Sequence, residues 1–224
     1  MKLTPILLAC GVAALAFTAT PAARATSLSY YVTINTTSLL GNSDAPFSLD
    51  LQLAQGSGNV TNSVTLSNFS ISGGTFAGSS NYTDGSESGS LGSTLTLTNA
   101  DLNNEFAEAF STGVTSIAFK VTETENSEEV TSGTPVPDQF NVFLDDNNTS
   151  SGFVPSTAPD GSDAILESAL FENATLSSVK TYSTTSPDAG VVTTTAVPEP
   201  SSIGMLAMAA VGTVGFAVRR FRRA

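Results

Sequence analysis

The chain reads as an all-β protein, a single jelly-roll-like β-sandwich with one short helix, flanked by an N-terminal signal peptide and a C-terminal transmembrane helix. Three observations carry this reading. Apolar and polar residues alternate at many separate places, clusters of Gly, Asn, Ser and Pro divide those places, and the long uncharged apolar runs lie at the two ends. With the ends set aside, a chain of 224 residues has room for one domain, or at most two small ones.

The first element is residues 1–25. Lys2 precedes an apolar run from Ile6 through Phe17, Pro21 breaks it, and Ala23 and Ala25 flank Arg24. This is the layout of a secretory signal peptide with an A-x-A cleavage site, which makes Thr26 the expected start of the mature chain. Leu7-Leu8-Ala9-Cys10 loosely resembles a lipobox, but the apolar run continues past Cys10, where a lipoprotein turns polar.

The body is expected over 26–183. Phe47, Leu49, Leu51 and Leu53 alternate with Ser48, Asp50, Gln52 and Ala54, the period-two pattern of a strand with one buried face. The same alternation recurs at Leu28, Tyr30, Val32 and Ile34, at Leu95 and Leu97, at Ile117, Phe119 and Val121, and at Phe140, Val142 and Leu144. Between Val64 and Leu66 on one side and Phe69 and Ile71 on the other the phase slips by one residue, which predicts a β-bulge. Further strands are expected around 164–172 and 174–182, making roughly eight in all, the layout of a sandwich. In Asp101 to Phe110 the residues Leu102, Phe106 and Phe110 recur every four positions, so the short helix is placed there, its apolar residues plugging one end of the sandwich. The stretches 78–90 and 145–163 read as long polar turns, where a rigid scaffold would carry binding residues. From 184 to 196 the pattern dissolves into a Ser/Thr-rich run, expected to be a flexible tether.

The last element, 197–224, has three parts. Val197-Pro198-Glu199-Pro200 leads into an uncharged apolar run, 203–218, and then into Arg219, Arg220, Arg222 and Arg223. As a helix the run is about 24 Å long, short for a hydrocarbon core of roughly 30 Å, so the arginines are expected to snorkel. Basic flanks stay in the cytoplasm, which places the body outside, in agreement with the signal peptide.

Charge and chemistry narrow the function. The net charge is −12, and of the eight cations only Lys120 and Lys180 lie in the body, against every acidic residue except Glu199. Such a surface repels phosphate backbones, which argues against nucleic acid as a partner, and attracts cations. Cys10 is the only cysteine and histidine is absent, so the mature body lacks disulfides, a thiolate nucleophile, the usual general base and the commonest zinc ligand. A Ser/Lys dyad would need Lys120 or Lys180, and Lys120 lies in phase opposite Ile117, Phe119 and Val121, toward solvent. The other route is a carboxylate pair of the glycosidase kind, but Glu123, Glu125, Glu128 and Glu129 read as a solvated hairpin end. The body is therefore expected to be non-enzymatic and to need no cofactor.

One ion stays open. Asp145 and Asp146, with Asn147 and Asn148, crowd oxygen ligands into one turn, and Asp160, Gly161 and Asp163 form a second cluster, so calcium is a candidate. Ordinary Asx-rich turns account for the same residues. With no Trp, sugar stacking would fall to Tyr30, Tyr31, Tyr82 or Tyr182.

In its order of Pro-Glu-Pro, short apolar run and Arg-rich terminus, behind a signal peptide, the C-terminal region resembles the PEP-CTERM sorting signal. That resemblance implies recognition by exosortase in the inner membrane and cleavage at or near Val197 to Pro200. It implies delivery of the body to the cell surface or to the exopolysaccharide matrix of a biofilm-forming Gram-negative bacterium. A fainter likeness covers the Phe106/Phe110 segment, the strand Ile117 to Val121 and the run Asp138 to Asp145, an order similar to the β-sandwich bodies found ahead of this signal. It brings no catalytic residues. The expected function is a non-catalytic structural role at the surface or in the matrix, with a calcium-dependent adhesive or carbohydrate-binding module as the alternative.

Overall fold

The computed structural model describes residues 26–57, 61–78, 80–125, 136–146, 152–170, 178–185 and 193–198. The strands are β1 (Thr26–Asn35), β2 (Ser48–Ala54), β3 (Ser63–Ser72), β4 (Tyr82–Asp84), β5 (Glu87–Gly89), β6 (Leu95–Thr98), β7 (Asn103–Ala109), β8 (Ser116–Glu125), β9 (Asp138–Asp145), β10 (Leu166–Leu170), β11 (Val179–Thr181) and β12 (Thr193–Pro198). They form two six-stranded antiparallel sheets packed as a sandwich, the first in the order β12-β1-β8-β3-β6-β5 and the second in the order β11-β10-β9-β2-β7-β4.

Alternation builds the core as expected. Leu49, Leu51 and Leu53 of β2 are fully buried and face Val32 and Ile34 of β1, Val64 and Leu66 of β3, and Ile117, Phe119 and Val121 of β8 within one cluster. Each such side chain contributes about 1.5–3 kcal/mol on burial. The predicted bulge is present, since the β3–β8 register shifts between Ser67 and Ser70. Asn68 takes the left-handed backbone there, with φ at 55°. Asn tolerates this conformation better than most residues because its short amide bonds locally.

The sequence departs from the structure at four places. The expected helix at Asp101 to Phe110 is strand β7, and the helical turn among the described residues is instead a 3-10 turn at Thr37–Leu39. A spacing of four is also a multiple of two, so Phe106 and Phe110 point into the core from a strand while Leu102 is left 78 % exposed. The turn expected at 78–90 contains β4 and β5, short edge strands with little apolar content. Glu123 is not solvated: it continues the inward phase of β8, is fully buried, and accepts hydrogen bonds from Tyr30 of β1 and, at 2.8 Å, from Ser168 of β10. This carboxylate ties the two sheets together, with donors on both oxygens as a buried charge requires.

The fourth departure concerns the expected tether. Within 184–196, Thr184 is buried and bridges Ser156, and Thr193 to Ala196 belong to β12 at the edge of the first sheet. The body thus extends beyond 183. No helix among the described residues is long and apolar enough to cross a membrane. The signal peptide with Ala23 and Ala25, the apolar run at 203–218 and the four terminal arginines lie outside the described residues.

A second buried carboxylate closes one end of the sandwich. Asp138, at the start of β9, accepts from Gly56 N–H at 2.6 Å, from the Asn62 amide at 2.8 Å and from the Asn99 amide at 2.6 Å. Two loops, β2–β3 through Gly56 and Asn62 and β6–β7 through Asn99, are thereby pinned to one side chain. Gly56 is required there, because a Cβ would sit 2.1 Å from the Val136 carbonyl oxygen.

Candidate functional site

The outer face of the second sheet carries a concave acidic patch built by strand register. In β2 the outward residues are Ser48, Asp50 and Gln52. Asp50 stands opposite Ala107 of β7 and Phe143 of β9, Gln52 opposite Glu105 and Asn141, and Ser48 opposite Ala109 and Asp145. Tyr82 of β4 pairs with Ala107, which brings its ring to the same face. The wall is completed by the return of the chain after β9. Phe153 bridges Asp145, Gly152 accepts the Asp146 N–H at 3.2 Å, and the Phe153 ring stacks on Phe143 with centroids 4.3 Å apart. The result is an open groove of about 440 Å3, with Asp50, Glu105 and Asp145 on its floor and sides and Tyr82 and Phe153 at its rims. Asn81 holds its edge by donating to Ser48 Oγ at 3.1 Å and accepting from Ala109 N–H at 3.1 Å.

Burial and the clustering of acids shift Asp50 and Asp145 in the groove. Asp50 is 2 % exposed, and burial, reinforced by the Glu105 charge, raises its pKa to about 8. Its Oδ2 accepts from Gln52 Nε2 at 3.3 Å, while Oδ1 has no donor in reach. Burial and the neighbouring Glu105 thus favour the protonated form of Asp50 at the base of the groove. Asp145 is raised as well, first by burial and then by Asp146 and Glu105. The Tyr82 phenol is raised by the charges of Asp84, Glu105 and Asp50 together with some burial.

The calcium candidates fall in two different settings. Asp145 lines the groove at the end of β9, Asp146 follows it, and Asn147 and Asn148 lie outside the described residues. Among the described residues no group of three or more acidic, His or Cys side chains is placed to hold a metal ion. Asp160 and Asp163 serve their own loop. Asp160 accepts the Ser162 N–H at 3.0 Å, which lowers its pKa, and Asp163 accepts the Ser156 N–H at 3.2 Å from a backbone φ of 62°. Chemically the groove offers carboxyl groups, of which Asp50 favours its protonated form, and the two aromatic side chains Tyr82 and Phe153.

Sequence reasoning missed Asp50, Glu105 and Phe153. The alternation of β2 did place Asp50 on the outer face, but Glu105 was assigned to a helix. The usable signal was the alternation of Glu105, Ala107 and Ala109 with Phe106, Glu108 and Phe110, which a strand reading would have set beside Asp50.

The C-terminal residues form the other functional element. Val197 and Pro198 end β12, paired with Tyr31 and Tyr30 of β1, while Glu199 and Pro200 lie outside the described residues. Comparison with curated proteins and with solved structures finds no match. Residues 196–223 match the PEP-CTERM protein-sorting motif. The chain is thus a β-sandwich body carrying a C-terminal PEP-CTERM protein-sorting motif, which makes it an exported protein sorted by exosortase.

Proposed function

We propose that the body is a non-catalytic structural component of the bacterial cell surface or exopolysaccharide matrix, delivered there after exosortase removes the C-terminal segment from an inner-membrane precursor. The sorting motif carries this reading, because it commits the chain to the export route. A body held by its apolar core, with buried carboxylates stitching its loops and sheets, supports it. The test is fractionation of cells with and without exosortase. The body is expected in the surface or matrix fraction only when the enzyme is present; equal matrix content in both strains defeats the proposal.

A second reading, an adhesive module that binds carbohydrate, is favoured by the groove. Tyr82 and Phe153 offer ring faces for the apolar side of a sugar, and the Asp50–Glu105 pair offers a donor and acceptor for hydroxyls. The patch suits a neutral polyol better than calcium, since burial and Glu105 favour the uncharged form of Asp50. Tyr82→Ala should weaken retention on matrix polysaccharide if this reading holds, and unchanged retention returns the body to the purely structural role.

A further inference from the structure

β12 is both the end of the body and the beginning of the sorting motif. All six residues, Thr193 to Pro198, pair antiparallel with Asn35 to Tyr30 of β1, and the matched motif starts at 196, so Ala196, Val197 and Pro198 serve both. The strand is an integral part of the fold. Thr194 is buried and Ala196 packs against the core beside Val32 and Ile34, both fully buried. Removing β12 would strip β1 of one of its two neighbours and make it the edge strand, leaving a row of unpaired N–H and C=O groups and an uncovered apolar margin, a template for aggregation. Pro198 suits the end of such a strand, because proline donates no hydrogen bond and sits at sheet edges.

A chain held in a sheet cannot be drawn into a processing cleft, which needs an extended segment free of other pairing. From Pro198 to Ile203, where the apolar run begins, the chain reaches at most about 18 Å. A membrane enzyme therefore meets the motif with the folded body close to the bilayer. Resting on the exosortase reading above, we infer that β12 is a permanent strand of the mature protein: exosortase acts on the folded chain on the C-terminal side of Pro198 and leaves Thr193–Pro198 on the body.

The experiment uses the full chain in cells that contain exosortase. The C-terminus of the processed protein is mapped by mass spectrometry, and a second variant, Thr33→Cys with Thr195→Cys, tests whether the strand must open. These two residues are direct cross-strand partners, exposed on the outer face, and the mature body has no other cysteine. Such pairs lie about 4.5–5.5 Å apart at Cα, within disulfide reach. The expected result is a C-terminus at or beyond Pro198 and the same processed fraction with the disulfide formed or reduced. A C-terminus upstream of Pro198, or processing that stops in the oxidised variant and returns with reductant, overturns the inference while leaving exosortase sorting intact. Full retention of 199–224 in the exported protein overturns both.

Discussion

Asp50→Asn is expected to stabilise the body at neutral pH and to remove a pH dependence that the wild type carries. In the unfolded chain this carboxyl ionises near its ordinary value of 3.8, whereas in the fold it holds its proton to about 8. Between those values the native state binds the extra proton, so stability falls as pH rises. The contribution is fully present below pH 3.8, is lost progressively, and levels off above about 8. At 1.36 kcal/mol per pH unit, the ceiling at pH 7 is about 4 kcal/mol. Asn carries no ionisable proton, so the substitution recovers a share of that ceiling, on the order of 2 kcal/mol. Asn keeps the volume and retains an N–H donor toward Glu105, so no cavity term opposes the gain. For a domain of this size the rise in Tm at pH 7 is roughly 4–8 °C. Circular dichroism melts of body and variant, Thr26 to Pro198, from pH 4 to 8.5 provide the assay. The two curves should meet near pH 4 and diverge toward 8; parallel curves, or a variant less stable at pH 7, would refute the raised Asp50 pKa.

Asp138→Ala leaves one backbone and two side-chain donors without their acceptor, and a loss of about 3 kcal/mol is expected in urea unfolding, with the m-value unchanged. Asn68→Gly should be tolerated, while Asn68→Val, which forces a β-branched residue into φ of 55°, should cost about 1–2 kcal/mol in the same measurement. Calcium at ten times a Kd of roughly 1 mM would add about 1.4 kcal/mol if it bound only the native body. The expected outcome is instead equal Tm in calcium and magnesium at matched ionic strength, and a calcium-specific rise abolished by Asp145→Asn with Asp146→Asn would establish the metal site.

What the sequence determined by itself is local. The alternation in Phe47 to Ala54, Ile117 to Val121 and Phe140 to Leu144 follows from side chains pointing to opposite faces at every step, so the strands and their buried faces were legible without knowing any partner. The bulge at Asn68 was legible for the same reason, as a slip of phase within one segment. The sorting motif could be read because its parts are contiguous. Tertiary structure decided what depends on register between distant segments. Leu102, Phe106 and Phe110 fit a period of four and a period of two alike, and only pairing of β7 with β2 chose the strand. That pairing set Glu105 beside Asp50, where its charge adds to burial in raising the Asp50 pKa. β12 has almost no apolar pattern, because an edge strand buries little, and its place comes from backbone hydrogen bonds to β1 at the other end of the body. Hydrogen bonds of that kind belong to every sequence equally, so a Ser/Thr-rich segment reads as a tether until its partner strand is in place.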